Sequence, residues 1–346
     1  MKKITTIAFI LLASLGLKAQ EKWNAQPYQT RSLSAANIKQ VFVNTSGGSI
    51  TVTGTDASQA RLEVYVAPSN YNEDISKEEL LQRLADNYDL KITDTDHELH
   101  ATAKRRSGIL NWRKALSISF KVYVPKAVAT MLNTSGGAIT LTDLDGDQEF
   151  STSGGRLHLM GLNGHIKGST SGGSIDVSNC KQDIELVTSG GSIRANDCEG
   201  KMELTTSGGA LKLSGLKGMI EASTSGGSIN AEDIGGELRT STSGGSINLS
   251  RLNCSVDAST SGGSIHAQFE QVGKFVKLNT SAGHIDLLVP ADKGLNLDLR
   301  GSRVNADLAG TFNGIKQKNR LEGEYNGGGA MVSVRSSGGG VNLKMN

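Results

Sequence analysis

Thr188-Ser-Gly-Gly-Ser-Ile-Arg-Ala-Asn-Asp-Cys-Glu-Gly-Lys-Met-Glu-Leu-Thr205 is one unit of the repeat that decides the fold. Its opening tetrad returns every 18 residues without a slip, at Thr134, Thr152, Thr170, Thr188, Thr206, Thr224, Thr242 and Thr260. A fixed period of this kind means one supersecondary unit stacked on copies of itself. With the unit numbered from its threonine, position 6 is always a large aliphatic (Ile139, Leu157, Ile175, Ile193, Leu211, Ile229, Ile247, Ile265) and position 8 is aliphatic or alanine. Position 7 between them is polar and includes Asp176, Arg194, Lys212, Asn230 and Asn248. That alternation predicts a strand with one buried face.

A second strand follows. Position 15 is apolar (Ile166, Ile184, Met202, Ile220, Leu238, Val256), and position 16 is charged (Lys167, Glu185, Glu203, Glu221, Arg239, Asp257). Continuing the alternation turns the repeat threonine inward, where its hydroxyl needs a partner such as a turn carbonyl. Two corners join the strands. In Ser-Gly-Gly the glycines are expected to supply backbone angles that other residues resist. The other corner is rich in Asp, Asn and Gly, as in Asp143-Leu-Asp-Gly146. Inside it, position 11 is apolar in consecutive copies (Leu144, Leu162, Cys180, Cys198, Leu216, Ile234, Leu252) and reads as an inward plug.

These patterns predict an all-β chain: a single-stranded β-solenoid, or β-helix, of 18-residue coils with a solid core. Parallel crossovers favour the right hand, and the aliphatics do not recur every sixth residue as left-handed coils require. Residues 1–20 read as a signal peptide, with Met1-Lys-Lys, an apolar run from Ile4 to Leu17, and Lys18-Ala-Gln20. Residues 21–55 hold a first coil. Residues 56–128 form a strand-rich, small α+β excursion with one helix, Ser76 to about Asp86, that caps the stack laterally or at its end. Residues 129–289 are the regular coils, and 290–346 are variant C-terminal coils. The helix start carries a capping box, Ser76 with Glu79, and a hydrophobic staple, Ile75 with Leu80.

The formal net charge is +2. Removing a leader that carries Lys2, Lys3 and Lys18 leaves bases and acids nearly balanced. Nucleic acid, whose binding rests on phosphate neutralisation, is therefore not an expected partner. No apolar run after the leader is long enough to span a membrane. Three cysteines form no disulfide framework. Cys180 and Cys198 share position 11 in adjacent coils and are expected to touch, as thiols or as a disulfide.

Taken in order, the leader, the first Ser-Gly-Gly coil, the Ser117-Ile-Ser-Phe-Lys-Val-Tyr-Val-Pro-Lys126 strand, the Thr-Ser-Gly-Gly-Ser-Ile coils and the final Ser336-Ser-Gly-Gly-Gly-Val-Asn-Leu343 resemble the bacterial putative-adhesin β-strand-repeat family, a domain of unknown function. The chain is also similar to auto-transporter adhesin heads. The resemblance implies an exported β-solenoid and brings no catalytic residues with it. The leader's Lys-Ala-Gln end resembles those of exported Bacteroidetes proteins.

Candidate chemistry is sparse. Asp143, Asp145 and Asp147 could ligate calcium, but they fall in the Asp/Asn/Gly corner, and turn chemistry accounts for them. The histidines show no metal-ligand spacing, and no acid cluster of a glycosidase is apparent. Neither a metal nor a cofactor is expected. Binding is assigned to the outward column Asp176, Arg194, Lys212, Asn230 and Asn248, or to Arg105, Arg106 and Trp112 of the excursion. The reading is an exported, non-enzymatic putative adhesin or envelope scaffold. Its partner would be a protein or polysaccharide of the cell envelope, met in the periplasm, at the outer-membrane surface or outside the cell. The alternatives are a carbohydrate-active β-helix enzyme and a periplasmic envelope-stress regulator.

Overall fold

A computed structural model describes residues 26–33, 37–70, 73, 75–106 and 114–346. The leader at 1–20 and Trp112 lie outside the described residues. Each repeat folds as a long strand, a corner, a short strand and a second corner. Long strands Lys181–Thr188, Glu199–Thr206 and Lys217–Thr224 pair in parallel, and so do short strands Ile193–Asn196, Leu211–Ser214 and Ile229–Glu232. Partners such as Ile184 and Met202 hold the same position in consecutive repeats, so every sequence position becomes a column. The long-strand and short-strand faces enclose one continuous apolar core, and the architecture is a β-solenoid.

The alternation in the sequence explains the core. Met202 and Leu204 of a long strand, Leu211 and Leu213 of the short strand after it, and the plug Leu216 are all buried. A fully buried Leu or Ile contributes about 1.5–3 kcal/mol, and each coil supplies several. Cys180 and Cys198 take the plug position as free, buried thiols.

The repeat threonine faces inward and finds a turn carbonyl. Thr206 Oγ1 donates to the Gly191 carbonyl of the preceding coil at 2.8 Å and accepts the Gly209 N–H of its own coil at 3.2 Å. The same pair of bonds forms at Thr134, beside the first coil, and at Ser336 in the last repeat of the sequence.

The glycines of this corner act differently from the expectation. Neither has a positive φ. The second is required by proximity: a Cβ on Gly209 would lie 2.0 Å from the Gly191 carbonyl oxygen, and one on Gly173 would lie 1.8 Å from that of Gly155. The first has room, since the nearest atom to a Cβ on Gly208 is 3.6 Å away, and Ala282 holds the equivalent place in its coil. Left-handed backbone occurs in the other corner, at position 10: Asp143 (φ 54°), Gly161 (66°), Asn179 (54°), Asp197 (52°), Gly215 (65°), Asp233 (55°) and Arg251 (51°). Asp, Asn and Gly tolerate this region best. Arg251 donates two hydrogen bonds to Asp233 of the preceding coil, at 2.6 and 2.7 Å.

At both ends, stack order departs from chain order. The first coil, Gln40–Thr45 and Ile50–Thr55, pairs on one edge with Ala129–Thr134 and Ile139–Thr142. On its other edge it pairs in parallel with Glu98–Arg105 and Leu116–Pro125. The excursion is thus an end cap that adds a coil of its own. Antiparallel strands finish it: Tyr88–Thr95 on the long-strand face, then Arg61–Pro68 and Gln29–Ser32 on the short-strand face. Its helix spans Lys77–Asn87, with Ser76 Oγ accepting the Glu79 N–H at 3.2 Å. The Glu79 carboxylate turns to Arg83, which also binds Glu73.

The last coil in sequence, Ala330–Ser336 and Val341–Met345, is not last in space. It lies between the coil ending Ile285–Val289 and the coil of Leu295–Arg300 and Val304–Asp307. The hairpin Phe312–Gln317 and Arg320–Tyr325 closes this end by antiparallel pairing.

Candidate binding face

The short strands expose positions 7 and 9. Pairing places Asp176, Arg194, Lys212, Asn230 and Asn248 in one column, each opposite the next. The column continues through His266, Asp286 and Asn342. All five residues singled out by sequence are therefore brought together on one face. Arg194 donates to Asp176 at 2.7 Å, and Arg156 approaches the other Asp176 oxygen at 3.7 Å. Asn248 donates its amide to Asn230 at 2.9 Å. Farther on, His266 Nδ1 lies 2.9 Å from Asp286, Asn342 donates to Asp286 at 2.7 Å, and Asn305 donates to Asn342 at 2.9 Å.

Position 9 adds Asn196, Ser214, Glu232, Ser250 and Gln268. Ser214 donates to Glu232 at 3.3 Å, and Arg251 pairs with Glu232 at 3.2 Å. The Arg251 guanidinium, hydrogen-bonded to Asp233, holds that carboxyl below its usual range. Serines at position 5 tie one coil to the next. Ser192 and Ser264 accept the corner N–H groups of Ala210 and His284 in the following coil, each at 3.1 Å. Between these columns lie two shallow, open hollows. One of about 520 Å³ runs from Arg194 to Ser250, and one of about 610 Å³ runs from Asn248 to Lys344.

Two of the three excursion candidates lie among the described residues. Arg105 ends the strand Glu98–Arg105, opposite Tyr88. Arg106 closes the helix, donating its N–H to Asn87 O and its guanidinium to Ala85 O, both at 2.8 Å. Trp112 is outside the described residues.

Two groups escaped the sequence reading. On the long-strand face, Phe42 stacks on His100 with centroids 4.5 Å apart and, beside Met131, borders a hollow of about 320 Å³. The signal was available: Phe42 and Met131 hold position 16, where the regular coils carry charge. On the outer short-strand face of the cap, Arg61 lies 3.7 Å above the Tyr123 ring and Lys121 lies 4.6 Å above Tyr65. Burial and a hydrogen bond to Glu63 push the Tyr65 hydroxyl up to about 12.

All three thiols are buried, and a hydrogen bond with Cys180 lowers Cys198. A hydrogen bond with Cys198, then burial, raises Cys180, and burial pushes Cys254 up to about 12. Among the described residues, no three His, Cys, Asp or Glu side chains gather as a metal site. No helix among them is long and apolar enough to cross a membrane.

A family model described as Toastrack DUF4097 matches residues 38–344. Among solved structures, the chain is similar to a putative cell adhesion protein from Clostridium sporogenes ATCC 15579, with 10% identity, a TM-score of 0.22, and 93% of this chain and 100% of that one covered. It is also similar to a putative adhesin from Bacteroides fragilis NCTC 9343, with 12% identity, a TM-score of 0.28, and 92% and 99% covered. No curated protein matches the sequence closely enough to count as a relative.

Proposed function

The chain belongs to the Toastrack DUF4097 family, and on that premise we propose that it is an exported, non-enzymatic adhesin or cell-envelope scaffold that binds through one long side face. The observation that carries this reading is the continuous column from Asp176 to Asn342, laid open along the short-strand face over a core already filled by aliphatics. A surface of this shape presents many weak contacts in a fixed array rather than a pocket around one reacting atom. Export is supported by the leader at residues 1–20, with its basic start and short apolar run.

Cell fractionation with proteolysis of intact cells tests the reading. The expected result is a mature chain beginning after about residue 20, outside the cytosol and open to added protease. A full-length chain in the cytosol overturns export. Protection in intact cells, with cleavage only after the outer membrane is opened, overturns the adhesin and leaves the scaffold.

A further inference from the structure

We propose that the short-strand face from Arg194 to Lys344 is a docking track for an extended, weakly acidic polysaccharide lying along the solenoid axis. This rests on the adhesin reading and names the class of ligand. The two hollows share Asn248 and Ser250, so they join into one track. It crosses the strands from Ile193–Asn196 to Val341–Met345, a run of roughly 29 Å at the usual strand spacing. Polar groups therefore recur once per coil, a step comparable to the length of one pyranose in an extended chain.

The chemistry of the track fits sugars better than protein. Side-chain amides at Asn196, Asn230, Asn248 and Gln268 both donate and accept, as sugar hydroxyls and acetamido groups do. Asn248 already donates to Asn230, which fixes the direction of that pair. The acids in the track are engaged: Glu232 by Arg251, and Asp286 by His266 and Asn342. Lys212 and Lys344 project with no carboxylate partner among the described residues, so the remaining charge attracts an acidic ligand. Protein-binding surfaces concentrate their affinity in buried Trp, Tyr and Arg anchors; neither hollow is lined by Phe, Tyr or Trp, and the arginine that lines one, Arg194, is exposed and paired with Asp176. The long-strand face has a different character, with the ion pairs Lys167–Glu185 and Lys277–Asp257 and the stacked carboxylates of Glu185, Glu203 and Glu221.

Affinity electrophoresis of the full mature chain through gels containing hyaluronan, an uncharged β-glucan or heparin tests the proposal. Hyaluronan should retard the protein most. The double variant Asn230→Ala/Asn248→Ala should weaken that retardation about tenfold, and Lys212→Gln should weaken it less. Glu221→Ala on the opposite face should leave it unchanged, with all variants keeping the parental melting temperature. Retardation unaffected by the double variant overturns the proposal. So does strongest binding to heparin with steep salt dependence, strongest binding to the β-glucan, or no retardation in any gel. If cells displaying the chain adhere to a protein-coated surface while the purified chain ignores hyaluronan, the track falls and the adhesin reading stands. If the purified chain binds hyaluronan but is found in the cytosol, the adhesin reading falls alone.

Discussion

The two corners of each coil turn the same chain by unrelated means. At Thr-Ser-Gly-Gly the constraint comes from outside the coil. The second glycine has an ordinary φ, and only the carbonyl of the coil beneath forbids a side chain. At position 10 the constraint lies within the residue itself, in a φ near the left-handed minimum from Asp143 to Arg251. The need for glycine at one corner therefore arises only from stacking. The other is set by local backbone preference within a single coil.

Substitutions at the corners can break this contrast. The largest effect is expected from Gly209→Ala, whose methyl meets the Gly191 oxygen; urea unfolding should show a loss of about 3 kcal/mol. An unchanged midpoint would mean that the coils can separate without cost. Thr206→Val comes next, at about 2 kcal/mol, because it strands the Gly191 carbonyl and the Gly209 N–H that the hydroxyl served. Thr206→Ser should recover most of that loss, since Ser336 makes the same bonds in its coil. Asp197→Val puts a β-branched residue at φ 52° and should cost about 1–2 kcal/mol, whereas Asp197→Gly should be tolerated. Smallest of all, Gly208→Ala should change stability by less than about 0.5 kcal/mol, in either direction. Equal losses at Gly208 and Gly209 would erase the distinction between the two glycines.

Most of the coil was legible in the sequence because its determinants are local and repeated. The buried columns at positions 6, 8 and 15 and the inward threonine follow from alternation, and position 11 follows from its recurring apolar residue. The role of the second glycine was hidden, since close approach between coils leaves the same letter in the sequence as a special backbone angle. The left-handed site at position 10 did leave a trace, in a column of Asp, Gly and Asn, although Arg251 blurs it. The interleaved ends were illegible for another reason. Pairing of Gln40–Thr45 with Glu98–Arg105 joins strands far apart in sequence, and Glu98–Arg105 carries no Ser-Gly-Gly signature. Of the candidate face, the column from Asp176 to Asn248 was readable by position. His266 and Asp286 continue it in chain order, and only Asn342 sits on a strand borrowed from the end of the chain.

That borrowing has a mechanical consequence. A stack whose terminal strands lay on its outer rims would yield to tension by unzipping, one hydrogen bond at a time. Here tension applied at the C-terminal end reaches Val341–Met345, a strand bonded along both edges, whereas at the other end the doubly bonded Gln40–Thr45 lies behind the rim strand Gln29–Ser32. Such a strand has to slide out from between two neighbours, loading many bonds in parallel. The C-terminal strand is thus wedged into the stack.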